Sequence, residues 1–183
     1  MRPLFIAGNW QMKDPPLSYR FQKWWLERNF MGSKVTINGQ WKYQKPHILN
    51  FQNPCIDENE LNKAKEIALK KDFDNKLTIC FAGTLTQNKG VGILMEALDK
   101  INDKENIKEV ILAGDGIERK SYEETSAKLN LQVTFKGMLN RAGLEKVYEE
   151  SHLIILPSES EGFPKVIAEA AAFGCVPVVS DIS

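Results

Sequence analysis

Charge imbalance is absent from this chain: 24 Lys and Arg stand against 24 Asp and Glu. No net field draws nucleic acid or an anionic lipid surface, so any anion must be held locally by a few well-placed donors. Cysteine is scarce. Cys55, Cys80 and Cys175 lack C-x-x-C spacing, and His47 and His152 are the two histidines. Adjacent motifs therefore cannot assemble a metal-ligand cluster, and the cysteines read as buried or unpaired thiols. No apolar run approaches the ~18 residues of a membrane span, and the stretch from Met1 to Trp10 has no apolar core of signal-peptide length. The expected compartment is reducing and cytoplasmic. No internal repeat or low-complexity tract is present. At 183 residues the chain can bury one well-packed domain plus an appendage, and is too short for two full α/β domains.

Two regimes divide what is there. From residue 1 to about 54 the sequence is aromatic-rich and irregular, broken by Gly8, Pro15, Pro16, Gly32 and Gly39, with short apolar runs such as "PLFIAG" and "KVTING". It looks incomplete by itself. From about Asp57 onward, apolar strands alternate with charged amphipathic helices, the signature of βαβ units and a parallel sheet. A helix is expected near residues 58–70, capped by Asp57 and with lysines toward its C-terminal end. Strands are expected at 77–83, 109–114, 132–137, 152–157 and 175–180, with helices at 90–101, 117–129, 141–149 and 164–173. Right-handed crossovers would build these into an open, doubly wound α/β sheet of Rossmann-like type. Ser183 follows directly on the last strand, so the sheet is expected to be incomplete at its C-terminus.

In such sheets ligands bind outside the carboxyl ends of the strands. The segments found there are "GTLTQNKG" (83–90), "GDGIE" (114–118), "GMLNR" (137–141) and "SESEGFP" (158–164). Each carries glycine or small polar residues where a ligand would approach backbone. The richest is "PSESEGFPKVIAEAAAFG" (157–174), in which Glu161 and Glu169 stand eight positions apart across a Gly-Phe-Pro corner. Pro164 suits a first helical position, the alanines favour the interior, and Gly174 fits the left-handed stop. The first turn leaves the N–H groups of Phe163, Lys165 and Val166 unpartnered, at the end where the helix dipole favours a phosphate or a sugar hydroxyl. Two glutamates at this spacing would ordinarily be solvated surface charges. Their setting, between a strand end and an Ala-rich helix, makes them candidates instead: Glu161 for hydroxyls or developing positive charge, Glu169 for the vicinal hydroxyls of a ribose.

The other loops are weaker signals. Lys89, opening a helix after "FAGTLTQN", can neutralise a diphosphate, although the Walker order is absent. "LAGDG" is a common tight turn. Met138 and Leu139 either pack on a nucleobase or are ordinary apolar rim residues. The stretch "YRFQKWWLERNF" (19–30) mixes aromatic and basic side chains as interfacial helices do, and equally suits packing against a further domain.

Together, "GTL…KG", "VILAGDG", "VTFKGML" and "YEESHLIILPSESEGFPKVIAEAAAFGCVPVVS" resemble the C-terminal, donor-binding half of a group 1 (family 4) glycosyltransferase of the GT-B fold. The Glu-x7-Glu spacing with Gly-Phe-Pro after the first Glu, between Leu-Pro-Ser and Gly-x-Pro-Val-Val, carries the likeness, which covers about residues 76–183. It implies a retaining hexosyltransferase that moves sugar from a nucleotide diphosphate sugar to a carbohydrate or lipid-linked acceptor, in surface polysaccharide biosynthesis. Glu161 and Lys89 would be catalytic. Gly162, Phe163, Pro164, Lys165, Val166, Gly83 and Thr84 would line the sugar and diphosphate, Glu169 the ribose, and Met138 and Leu139 the base. No metal or other cofactor is expected, so basic side chains and helix dipoles would stabilise the leaving group.

Two departures qualify that expectation. Thr84 stands where the family commonly has Arg, so one diphosphate cation is missing unless a residue such as Arg141, or a group outside the chain, compensates. The acceptor-binding domain is also missing. Residues 1–54 would be its remnant and the crossover linker, residues 55–183 a truncated donor-binding domain. The expectation is then a fragment that binds nucleotide weakly and is inactive alone. The full-length enzyme would work in the cytoplasm, with peripheral association at the inner membrane face left open. A non-catalytic nucleotide-sugar-binding module and a GT-B-fold UDP-sugar epimerase remain as alternatives, the latter disfavoured because no matching histidine is seen.

Overall fold

The structure, a computed structural model, describes residues 4–6, 16–38, 43–51, 55–159, 161 and 164–181. Backbone packing divides the chain into two compact units, Met1–Pro54 with Ser183, and Cys55–Ile182.

In the first unit, β1 (Leu4–Ile6), β2 (Val35–Asn38) and β3 (Ile48–Phe51) form a parallel sheet in the order β1-β2-β3, with α1 (Leu17–Glu27) between the first two strands. Irregular composition concealed this order. The strands are only three or four residues long, too short to establish a pattern, and β3 was not anticipated. Val35, Ile37, Ile48 and Leu26 make a small core. His47 Nε2 donates to the Leu26 carbonyl at 2.7 Å, tying the approach to β3 to the end of α1.

The second unit carries the expected alternation: α2 (Glu58–Ala68), β4 (Leu77–Ala82), α3 (Val91–Lys100), β5 (Ile107–Ala113), α4 (Arg119–Ser126), β6 (Val133–Gly137), α5 (Arg141–Glu150), β7 (Leu153–Leu156), α6 (Lys165–Ala172) and β8 (Val176–Val179). The five strands are parallel, in the order β6-β5-β4-β7-β8. Chain order thus runs outward from β4 through β5 to β6, then returns to the other side of β4 for β7. The connections after β4 and β7 lead to α3 and α6 on opposite faces of the sheet, the switch point at whose carboxyl edge sheets of this kind bind ligands.

Period-2 alternation separates the two faces. Ile79, Phe81, Val110 and Leu112 pack with Val91, Leu94, Met95 and Leu98 of α3 and Tyr122 of α4. Cys80, Ala82, Ile111 and Ala113 face Ala64 of α2, Val147 and Tyr148 of α5, and Ala170 and Phe173 of α6. Both faces are covered, as the near-continuous apolar runs of the strands require, and each large core side chain contributes about 1.5–3 kcal/mol.

Helix ends follow their local chemistry. Asp57 caps α2 in a full capping box, accepting from the Glu60 amide while the Glu60 carboxylate accepts from the Asp57 amide, each at 2.9 Å. Asn140 caps α5 by accepting from the Gly143 amide at 2.9 Å. At the opposite end of α5, the Lys71 ammonium donates to the carbonyls of Tyr148 and Ser151 and lies 3.3 Å from the Cys175 sulfur. A hydrogen bond from Cys80 and the nearby Lys71 charge hold the Cys175 thiol below its ordinary value, while the Cys80 thiol is pushed up by Cys175 and by burial. The three cysteines are free, as expected. Among the described residues no helix is long and apolar enough to cross a membrane.

Candidate active site

Four loops meet at the carboxyl edge of the second unit and are joined through backbone. Gly83 donates to the Ala113 carbonyl at 2.9 Å, Leu85 to Asp115 at 3.0 Å, Glu159 to Asn88 at 2.9 Å and Gly114 to Gly137 at 2.8 Å. Glycine permits this closeness at specific places. A Cβ on Gly90, at φ +74°, would fall 2.0 Å from the Pro157 carbonyl oxygen, and one on Gly114, at φ +146°, would fall 1.8 Å from that of Gly83. Both positions need left-handed backbone and no side chain. The result is a rim of interlocked loops on a rigid sheet.

Lys89 and Glu161 meet on that rim at the reversal between β4 and β7. Lys89 Nζ is 2.6 Å from Glu161 Oε1, with the side chains 25% and 14% exposed. The same oxygen accepts from Ser158 Oγ at 2.8 Å, and Ser158 is itself buried. The carboxylate is therefore held from the strand side and the loop side at once through one oxygen, and its second oxygen has no hydrogen-bond partner among the described residues. Residues 72 positions apart come together because parallel neighbours put their following loops side by side. Ser158 was missed in the sequence. Its signal was a hydroxyl three positions before Glu161, which is common in loops and carries little weight without the fold.

The remaining predicted residues divide. Gly83 lies at the end of β4 in the loop interlock. Thr84 is exposed on the same rim. Gly162 and Phe163 lie outside the described residues. Pro164 stands at the start of α6, with no side chain capping the helix; Lys165 is exposed, and Val166 is partly buried against both cores. Met138 is 83% exposed, whereas Leu139 packs against the core beneath α5. Two adjacent residues with one expected role thus present themselves differently.

Glu169 faces α5. Its Oε2 accepts from the Tyr148 hydroxyl at 3.4 Å and its Oε1 lies 3.7 Å from Arg141 NH1. Among the described residues no polar contact joins it to Lys89 or Glu161. Burial, then the charge of Glu169, pushes the Tyr148 phenol well above its ordinary value, so it remains a neutral donor. Ile56, Glu60, Arg141, Leu144, Glu145, Tyr148, Glu169 and Phe173 enclose a cavity of about 170 Å³.

The glycosyl transferases group 1 model matches residues 62–183. The chain belongs to the group 1 glycosyltransferase family. It is 33% identical over 140 residues to an uncharacterized glycosyltransferase of Methanocaldococcus jannaschii, covering 74% of this chain and 36% of that protein. It is also 33% identical over 124 residues to the N-acetyl-D-galactosaminyltransferase of Campylobacter jejuni that acts on a diNAcBac-PP-undecaprenol-linked glycan, covering 66% of this chain and 32% of that protein. The chain spans about a third of the length of these two relatives. In fold it matches Anabaena HepE, solved with UDP and glucose, with a TM-score of 0.67 at 20% identity, over 99% of this chain and 53% of the other. The second unit accordingly has the architecture of the C-terminal domain of GT-B enzymes.

Proposed function

We propose that the chain is the donor-binding part of a retaining hexosyltransferase, which passes a hexose from a nucleotide diphosphate sugar to a carbohydrate or lipid-linked acceptor in surface polysaccharide synthesis. The carrying observation is the Lys89–Glu161 pair, 2.6 Å apart at the reversal of strand order. A diphosphate placed there meets Lys89 and the amides that open α6, where the helix dipole also favours negative charge. The sugar then lies on the Glu161 side, whose free lone pairs accept from its hydroxyls, with Gly162, Phe163 and Pro164 lining that pocket. Gly83 and Thr84 border the diphosphate, Thr84 with a hydroxyl in place of a guanidinium. Glu169 takes the ribose, and Met138 and Leu139 border the base.

In the reaction the glycosidic C–O bond to the β-phosphate breaks, the electron pair leaves on the diphosphate, and the acceptor hydroxyl attacks from the same face and passes its proton to the departing phosphate oxygen. Lys89 and Lys165 with its amide offset the charge that grows on the leaving group, and Glu161 faces the positive charge growing on the sugar ring. The reading asks for no metal. Residues 1–54 fit the end of an acceptor domain, and the Campylobacter jejuni relative is named for a glycan linked to PP-undecaprenol, which supports a lipid-linked acceptor. The chain alone is expected to bind nucleotide weakly and not to transfer sugar.

The test is a titration of the chain with UDP, GDP and ADP and with their hexose conjugates, followed by ligand-observed NMR. Lys89→Met removes a charge-assisted bond of about 1.5–3 kcal/mol, so affinity for every diphosphate falls roughly 10–100-fold. Glu161→Gln frees Lys89, so affinity for the plain diphosphate stays or rises while the gain from the attached hexose disappears. Affinities unchanged in both variants would remove the site from this place. Tight binding by a longer protein containing this chain, without donor hydrolysis, would favour a binding module instead.

A further inference from the structure

The guanidinium of Arg141 is fixed in a way that the proposed chemistry does not itself require. Nε and NH2 donate to Glu60 Oε1 and Oε2, both at 2.6 Å, a fork-to-fork geometry that lysine cannot reproduce. NH2 donates in addition to the Cys55 carbonyl at 2.6 Å. Glu60 is not free to follow the arginine, because the capping box holds it at the N-terminus of α2. With Nε and NH2 engaged, NH1 is the edge turned to Glu169, 3.7 Å from Oε1.

Glu169 is correspondingly under-saturated. Among the described residues its polar neighbours are Tyr148 Oη at 3.4 Å and Arg141 NH1 at 3.7 Å, which sit at or beyond the limit of a good hydrogen bond. The carboxylate is flanked by the Tyr148 hydroxyl at one oxygen and by the Arg141 charge at the other, and keeps lone pairs for a ligand diol. The adjoining cavity of about 170 Å³ gives space beside it. Glu145 also approaches, 3.9 Å from Arg141 Nε, although Lys63 holds its other oxygen at 3.0 Å. One guanidinium therefore separates three carboxylates on α2, α5 and α6. Without it they would repel, and the one with the weakest tether, Glu169, would turn away.

We propose that Arg141 is the positioning residue for Glu169: anchored on the capping box of α2, it aims the carboxylate that receives the ribose, and so sets the preference for a ribonucleotide over a nucleotide lacking the ribose hydroxyls. This rests on the ribose reading of Glu169 given above.

The experiment measures the affinity ratio between UDP, GDP or ADP and the dideoxy form of each, by NMR titration of the whole chain. Two hydroxyl-to-carboxylate bonds give the wild type a preference of roughly tenfold or more for the ribose form. Arg141→Ala brings the ratio to within about threefold of unity, and Arg141→Lys, which keeps the charge without the fork, falls between. Glu60→Gln weakens the anchor and lowers the ratio less than Arg141→Ala. A general loss of structure would weaken both forms of the nucleotide together and leave the ratio intact, and that result, or a wild-type ratio in Arg141→Ala, overturns the proposal. Glu169→Gln separates the two readings. If it abolishes the preference and Arg141→Ala does not, positioning by Arg141 fails alone; if Glu169→Gln itself leaves a wild-type preference, the ribose reading of Glu169 fails and the inference with it.

Discussion

A carboxylate's role in this chain depends on what else competes for it. Glu161 is shared by Lys89 and Ser158, Glu169 is lightly held by Tyr148 and Arg141, and Glu60 is fully engaged by Arg141 and its own capping box. The first two keep capacity for a ligand and the third does not. Glu60 makes a pH prediction: its carboxyl is held below the ordinary 4.5 by the Arg141 hydrogen bond and then by the Asp57 amide. A depressed carboxyl stabilises the fold above its ordinary value, and that contribution is lost as pH falls through the lower folded value. Urea unfolding should therefore show Glu60→Gln less stable than the wild type at about pH 7, with the gap narrowing at a pH well below the ordinary 4.5. A gap of equal size at both pH values would show that the fork contributes nothing through ionisation.

Elements matter here by what their ends do. The strands of the second unit were expected within a residue or two of where they lie, since long apolar runs bounded by glycine leave little freedom. What the loops do after the strands is decided by close approach, and Gly90 is the sharpest case. Alanine there would suffer both the left-handed φ of +74° and a Cβ 2.0 Å from the Pro157 carbonyl. Gly90→Ala is expected to cost about 2–4 kcal/mol, combining αL strain with displacement of the 157–159 backbone. Thermal unfolding checks the stability. The same variant should lose the Lys89-dependent part of diphosphate binding, because the loop that carries Lys89 and the one that carries Glu161 are forced apart. Wild-type stability and binding together would contradict the interlock.

For the second unit, the doubly wound order β6-β5-β4-β7-β8 places its reversal of strand order beside the Lys89–Glu161 pair on the rim loops. A ligand bound there contacts loops from both halves of the sheet and should stabilise the second unit as a body. At a concentration ten times its Kd, a nucleoside diphosphate would add about 1.4 kcal/mol by mass action, a shift of roughly 3–8 °C for a unit of this size. Differential scanning fluorimetry with UDP, GDP and ADP reads this directly and ranks the bases. No shift with any of them at about 10 mM would place Kd above the millimolar range, or the site elsewhere.

The sequence by itself determined the family, the doubly wound class of the second unit, and the two glutamates with the lysine worth examining, because apolar periodicity, glycine stops and the spacing around Gly-Phe-Pro are local properties written along the chain. It under-read the first unit, whose three short strands pair in parallel only through tertiary contact. The site was legible as residues and not as partnerships. Lys89 reaches Glu161 across 72 positions, and Arg141 reaches Glu60 across 81. Such pairs depend on strand order and on which helix covers which face, and hydrogen bonding is a matter of distance in space. Only the tertiary structure separated Glu161, at the reversal of the sheet beside Lys89, from Glu169, turned toward α5 and aimed by an arginine that is anchored on α2.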